Sequence, residues 1–433
     1  MKFNRLLIIA SIAAATLILS NLTVQTVSSR DFSESYPPVL CPATPSGESS
    51  AISIPSTQTG SRVLGKNSII FKPTRTLRLE QGKSPTILDT KNMTSPVWQI
   101  KRGVWAGATI CSAPSTSQWF VGGIADVTSK GKLILLNSGL SEAIVDIRMW
   151  SESGIRPNRV ITLKANSFLV QTLDSLDPGS KKIVLHVAPR SGRVNSFLID
   201  ERGRGLRSLG GDIVNATTEP SREIVIPAIP QNNRSGRPLG HVLRLLTTGK
   251  LPAQISVELI SSKGTFIPVG LSERTLQPGV VSEINLDLQL EPGTFALKIS
   301  SNRAIVGSVY SSTFAQGKSD FVWSTATTEM TEYSLAVSGL SPLLTFTGEK
   351  ISVSLTVAFI DKKERRFEIK GDAIATFRVP NNARTVIFNR VSAKTFGGAL
   401  VATQSGYGFF PLIPGSQLTR VLLPRPNIRV LNP

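Results

Sequence analysis

The chain has 433 residues, room for roughly two to four domains, and its 48 Lys and Arg against 29 Asp and Glu give a net charge of +19 and a pI near 10.3. At 40% hydrophobic residues and a mean hydropathy of +0.07 it is too apolar for wholesale disorder, and it has no second long apolar run of the kind a polytopic membrane protein needs. Two histidines, His186 and His241, and two cysteines, Cys41 and Cys111, leave little material for zinc sites or cysteine–histidine catalysis.

Lys2 and Arg5 precede an apolar stretch from Leu6 to Leu19 that is broken only by Ser11 and Thr16. A basic start followed by about 7–15 apolar residues is the pattern of a secretory signal, whereas a spanning helix normally needs about 20. No Ala-x-Ala triplet follows, and Val27-Ser28-Ser29 is the best small-residue candidate for cleavage. Residues 1–29 therefore read as a signal peptide or an uncleaved hydrophobic anchor helix. Both place the rest of the chain outside the cytoplasm, in the cell envelope.

Export makes Cys41 and Cys111 a candidate disulfide. Closing a loop of that length contributes on the order of 3–5 kcal/mol by restricting the unfolded chain. The bridge would tie the Pro- and Ser-rich stretch around SYPPVLCPATPSGESS to the body of the protein, within a segment 30–117 that reads as a leading stretch and a degenerate β unit.

Beyond it the chain repeats itself. Val145–Trp150 (VDIRMW) returns as Ile255–Ile260 (ISVELI) and Leu355–Ile360 (LTVAFI), each followed by a polar turn. Leu176–Gly179 (LDPG) is echoed by Leu290–Gly293 (LEPG), and Ala216–Glu219 (ATTE) returns unchanged as Ala326–Glu329. A period near one hundred residues is domain-sized and predicts a row of modules rather than a solenoid. Within a module, short runs rich in Val, Ile, Leu and Thr alternate with Gly, Pro, Asn and Asp, the pattern of antiparallel strands and hairpins. The expected fold is all-β: tandem immunoglobulin-like antiparallel β-sandwich modules at 118–222, 223–331 and 332–433, after the amino-terminal hydrophobic helix.

The stretch CPATP at Cys41–Pro45, then CSAPSTSQWFVGG from Cys111 to Gly123, then Leu133–Gly154 resembles an uncharacterised family of secreted, amino-terminally anchored actinobacterial proteins with repeated β-sandwich modules. Asn137-Ser138 stands where that pattern has Asn-Pro. As a domain of unknown function, the family implies envelope location and fold but no reaction.

No nucleophile elbow, zinc-protease helix, phosphate-binding loop or calcium loop is present. Asp177 and Glu291 occupy equivalent positions in LDPG and LEPG and read as turn residues rather than an acid–base pair. His186 and His241 fall in strands and read as structural. Two basic clusters are candidates for anion binding, Arg202, Arg204 and Arg207 in one, and Lys362, Lys363, Arg365 and Arg366 in the other. Trp119 and Phe120 form the candidate exposed aromatic contact. No metal or cofactor is expected, and nucleic acid is a poor match for an exported chain without base-stacking motifs. The expectation is a non-enzymatic envelope protein that binds or spaces an anionic partner (glycan, phosphate polymer or lipid). The alternatives are a subunit docking onto an envelope polysaccharide biosynthesis complex, and an enzyme with a cross-module site. Residues 341–433 carry 13 of the basic residues against 5 acidic ones. They are therefore expected to hold the partner and to be removable without unfolding the rest.

Overall fold

Strands form where apolar residues alternate with polar ones. Along Ala143–Ser151 the core-facing Val145, Ile147 and Met149 are buried while Ile144 and Arg148 on the opposite face stay exposed. The structure, a computed structural model, describes residues 32–35, 37–66, 68–90, 93–234, 236–416 and 421–424. The apolar segment 1–29, with its candidate cleavage site, lies outside the described residues. The described chain is all-β, and its one helix is the single turn Leu173–Leu176. No helix among these residues is long and apolar enough to cross a membrane. The chain divides into two units. In one, Phe32–Ser35 pairs antiparallel with Val421–Pro424. The other spans Pro37–Gln417 and contains everything described below.

Residues 118–214 form two facing sheets. One has the order Gln118–Val121, Ile183–Ser191, Ala143–Ser151, Arg159–Leu163, and the other has the order Ser167–Thr172, Lys132–Asn137, Val194–Arg204, Arg207–Val214. Leu133, Leu135, Val145, Ile147, Leu185 and Leu198 fill the space between them. The same pairing order occurs in residues 39–110: Val39–Cys41, Thr86–Asp89, Gly60–Val63 and Lys72–Pro73 face Arg78–Gln81, Ser49–Ser53, Val97–Arg102 and Ala108–Ile110. This first stretch is therefore a complete sandwich of short strands.

In the third sandwich the two sheets are joined, because Gly293–Ala315 runs on for 23 residues. Its first part pairs with Ser221–Gln231 and Ala253–Ser261, and its second part pairs with His241–Thr247 and Lys318–Thr325. The equivalent run of the second sandwich breaks at Gly192, which takes a φ of 87° that favours glycine. Asn302 stands 110 positions later and the strand continues through it. The fourth sandwich joins different pairs: Leu343–Phe359 and Glu364–Arg378 each run through both sheets, flanked by Ala383–Val391, Phe396–Ala402 and Tyr407–Pro411.

The four sandwiches share cores in a closed cycle. Ile134, Leu136, Phe197 and Ile199 of the second pack with Leu40, Ile54 and Trp98 of the first. Trp119, Trp150 and Val184 meet Leu246, Val281 and Val306 of the third. Ala228 and Val322 then meet Leu400 and Phe409 of the fourth. Val97, Ala108 and Ile110 of the first complete the cycle in the core of the fourth, beside Leu335, Phe346 and Phe410. Thr94–Ser95 also pairs, in parallel, with Tyr333–Ala336. The expected row is thus a closed arrangement. Residues 341–433 are not a removable end piece, since deleting them would strip cover from Val97, Ala108 and Ile110.

Candidate functional site

The strands Val194–Arg204 and Arg207–Val214 form a hairpin whose turn carries Gly205 at φ 58°. Arg204 and Arg207 sit opposite each other at its tip, exposed, beside a fully exposed Leu206. Arg202 is different. Two positions from Asp200 and on the same face, it donates from Nη2 to Asp200 Oδ2 at 2.7 Å and lies over the rings of Phe321 and Tyr310, 4.5 and 5.0 Å from their centroids. Burial works against its charge, but Asp200 outweighs burial and holds the guanidinium above its ordinary range. Arg202 is therefore spent on an internal contact, which corrects its assignment as a free anion-binding residue.

That contact belongs to a polar junction between sandwiches. Asp212 Oδ2 accepts from the Trp323 backbone N–H at 2.7 Å, and Asp200 Oδ2 accepts from the Trp323 indole at 2.9 Å. Asp320 accepts from the Gly211 N–H of the second sandwich at 2.9 Å and from the Ala106 N–H of the first at 2.8 Å. Arg244, fully buried under Trp323, donates to Glu283 and to the carbonyls of Gly123 and Ile183. Burial pushes the Asp212 carboxyl well up and that of Asp320 up to about 7. These carboxylates are occupied by backbone donors and Arg202, an arrangement that joins sheets.

The second basic cluster forms the hairpin between Leu343–Phe359 and Glu364–Arg378. Lys362 takes the turn at φ 67°, and Lys363 reaches Asp361 at 3.3 Å across open solvent. Arg365 points to the core side of the sheet and lies over Phe367 at 5.2 Å. Arg366 faces outward, and register brings it two partners that sequence reasoning missed. Lys370 lies four positions on along the same face, opposite Ser352, and Arg390 is paired to Ser354 from the other side. Arg366, Lys370 and Arg390 are all exposed and flank a strip of small hydroxyl residues, Ser352, Ser354 and Thr356, on the central strand. Glu364 and Glu368 alternate with the cations, exposed Lys350 sits at the bulge inside Leu343–Phe359, and exposed Lys394 follows the end of Ala383–Val391. Lys370 could have been found from the alternation alone; Arg390 comes from a strand remote in sequence.

The aromatic candidates are buried. Phe120 lies in the core of the second sandwich, 1% exposed. Trp119, 6% exposed, stacks on His186 and Trp150 at centroid distances of 4.1 and 5.3 Å and donates to Glu219 Oε2 at 3.0 Å. Neither is an exposed contact, because the face carrying Trp119 is covered by Leu246 and Val306 of the third sandwich. His186 bonds Ser117 and His241 bonds Ser311 and Gln231, so both are held within the fold. Burial lowers both imidazoles, His241 to about 4. Asp177 is also buried, paired to Arg156 at 2.6 Å, while Glu291 is exposed. Cys41 and Cys111 form a disulfide in the core of the first sandwich. No group of three or more potential metal ligands occurs among the described residues.

Residues 90–379 match a family of unknown function, DUF5719. No curated protein matches the chain. Among solved structures, one described as the crystal structure of Thermotoga maritima 1070 is 15% identical, with a TM-score of 0.21 over 25% of this chain and 96% of its own.

Proposed function

This chain belongs to DUF5719, a family of unknown function, and from that premise we propose that it is a non-enzymatic, exported protein of the cell envelope that binds an anionic partner. In this reading the protein is held at the membrane by its amino-terminal apolar segment, or released from it, and its sandwiches are tandem immunoglobulin-like modules. The outer face of the fourth sandwich carries the reading: Arg366, Lys370 and Arg390 stay in solvent beside exposed Ser352 and half-buried Thr356, while the half-buried Arg202 and the buried Arg244 are held by carboxylates of the fold. Glu364 and Glu368 share that face, but no ion pair among the described residues joins them to these three cations, which keep their attraction for an outside anion, and a sheet face suits an extended polymer better than a compact substrate. The Cys41–Cys111 disulfide supports an oxidising location. The cyclic packing favours binding over spacing, since a closed block cannot act as an extended spacer.

The test is binding to purified anionic cell-wall polymer. Affinity should fall steeply as salt rises from about 0.05 to 0.5 M. The combined Arg366→Glu, Lys370→Glu and Arg390→Glu variant should lose binding with an unchanged melting temperature. Salt-independent binding, or none, overturns the proposal. A second reading, an accessory subunit of an envelope polysaccharide biosynthesis complex, rests on exposed Phe266, Ile267 and Val269 of the third sandwich. It predicts co-purification with a membrane partner that survives high salt.

A further inference from the structure

The sheet of Ser167–Thr172, Lys132–Asn137 and Val194–Arg204 turns its outer face onto the first sandwich. Alternation puts Leu136, Ile134 and Lys132 on that face in succession, with Ile199 and then Glu201 on the neighbouring strand and Thr172 directly opposite Lys132. The apolar members are buried in the seam. At its mouth the same face turns polar, and a cleft of about 380 Å³ opens there, lined by Lys130, Lys132, Thr172, Asp174 and Glu201, with Ser46 of the first sandwich on the other side. This volume falls within the range of about 300–1,000 Å³ found for small-ligand sites.

The charges around the cleft are not consumed by one another. Lys130 Nζ donates to the Gly205 carbonyl at 3.0 Å rather than to a carboxylate. Burial pushes the Glu201 carboxyl up, and Lys132 and Lys130 pull it back down, yet no ion pair among the described residues joins Glu201 to either. The Lys130–Gly205 contact also places the hairpin tip with Arg204 and Arg207 beside the cleft. Within the lining Lys130 and Lys132 balance Asp174 and Glu201, so the excess of positive charge comes from Arg204 and Arg207 at the edge of the cleft, and that excess favours an anion. Carboxylates and hydroxyls beside the lysines can serve hydroxyl donors on the same ligand.

We propose that this cleft binds a small polyhydroxylated anion, a sugar unit bearing a phosphate or carboxylate, with Lys130 and Lys132 on the anionic group and Glu201 accepting from sugar hydroxyls. The site shares no residue with the basic face of the fourth sandwich and stands whether or not that face binds polymer.

Calorimetric titration of the full chain with glucose 6-phosphate, glucuronate, glucose, inorganic phosphate and glycine tests it. At least one anionic sugar should bind roughly tenfold or more tighter than glucose or phosphate alone, and the tighter of the two identifies the anionic group. Lys132→Met, with Lys130→Gln as a second, exposed substitution, should weaken it roughly tenfold. Glu201→Gln should weaken the sugar anion and leave phosphate unaffected. The reversed-charge variant of the fourth sandwich should bind these probes like wild type. The proposal is overturned if phosphate or glycine binds as tightly as the sugar anions. It is equally overturned if the folded Lys132 and Lys130 variants bind like wild type, or if neither anionic sugar binds at millimolar concentration.

Discussion

Asp320 is the point at which the first three sandwiches are tied by one side chain. It belongs to the third, and its two oxygens accept from Gly211 of the second and Ala106 of the first. Gly406 of the fourth packs against it so closely that a Cβ there would lie 2.9 Å from Oδ2. Asp320→Ala removes both acceptors and leaves two buried N–H groups without partners. At about 1–3 kcal/mol for each orphaned donor, the loss near pH 6 should be about 2–6 kcal/mol. Asp320→Asn keeps one acceptor and should lose about half as much. The ionisation adds a signed pH dependence. Burial, with Glu48 nearby as a smaller cause, pushes the Asp320 carboxyl up from 3.8 to about 7. The unfolded chain releases this proton first, so the stability contributed by the neutral form is complete below about pH 4 and lost as pH rises toward 7, by about 4 kcal/mol in all. Urea unfolding of wild type and Asp320→Ala at pH 5, 6, 7 and 8 measures both effects. The advantage of wild type should shrink steadily from pH 5 to 7 and then level off. A variant as stable as wild type at pH 6, or a difference independent of pH, would refute the junction argument.

Burial works in the opposite sense for His241, whose folded pKa near 4 lies below the ordinary 6.5. Stability should therefore fall as pH drops from about 6.5 toward 4, and His241→Gln should flatten that limb of the pH–stability curve. Arg244→Met strands the Gly123 carbonyl and leaves Glu283 with Lys182 at 3.7 Å in place of its close partner, so denaturant unfolding should show a loss of roughly 3–5 kcal/mol, and a loss within error would contradict the packing described. Gly408→Ala places a Cβ 2.6 Å from the backbone of Gly107 and Ala108; neither atom can rotate away, so prying apart the first and fourth sandwiches should cost about 1–3 kcal/mol in the same assay. Replacing Cys41 and Cys111 by Ser should lower stability by about 3–5 kcal/mol, and a midpoint insensitive to reductant in the wild type would exclude a contribution from the bridge.

Much of the local structure was legible because it depends on neighbours in sequence. Alternation marks Ala143–Ser151 as a strand without any knowledge of its partners, and turn chemistry punctuates the runs around it. The pairing of Asp200 with Arg202 was also within reach, since residues two apart on a strand share a face. The first sandwich was harder to read: strands such as Val39–Cys41 and Ala108–Ile110 have three residues each, too few to show a period. Trp119 shows the limit of a local reading from the other side, since its burial comes from Leu246 and Val306, more than a hundred positions away.

The all-β class, the strand runs and the two cysteines available to bridge can be read from local sequence, because alternation, turn residues and composition act over a few neighbouring positions. Which charges are free is set by long-range packing. Arg202 and Arg244 are bound inside a junction, Arg366, Lys370 and Arg390 stand together on one open face, and Lys130 and Lys132 meet Glu201 at the mouth of a seam. Whether a charged side chain is spent or available depends on the register of strands far apart in the chain and on which sheet faces cover one another. Both follow from the closed packing of the four sandwiches, a long-range arrangement that no local pattern records.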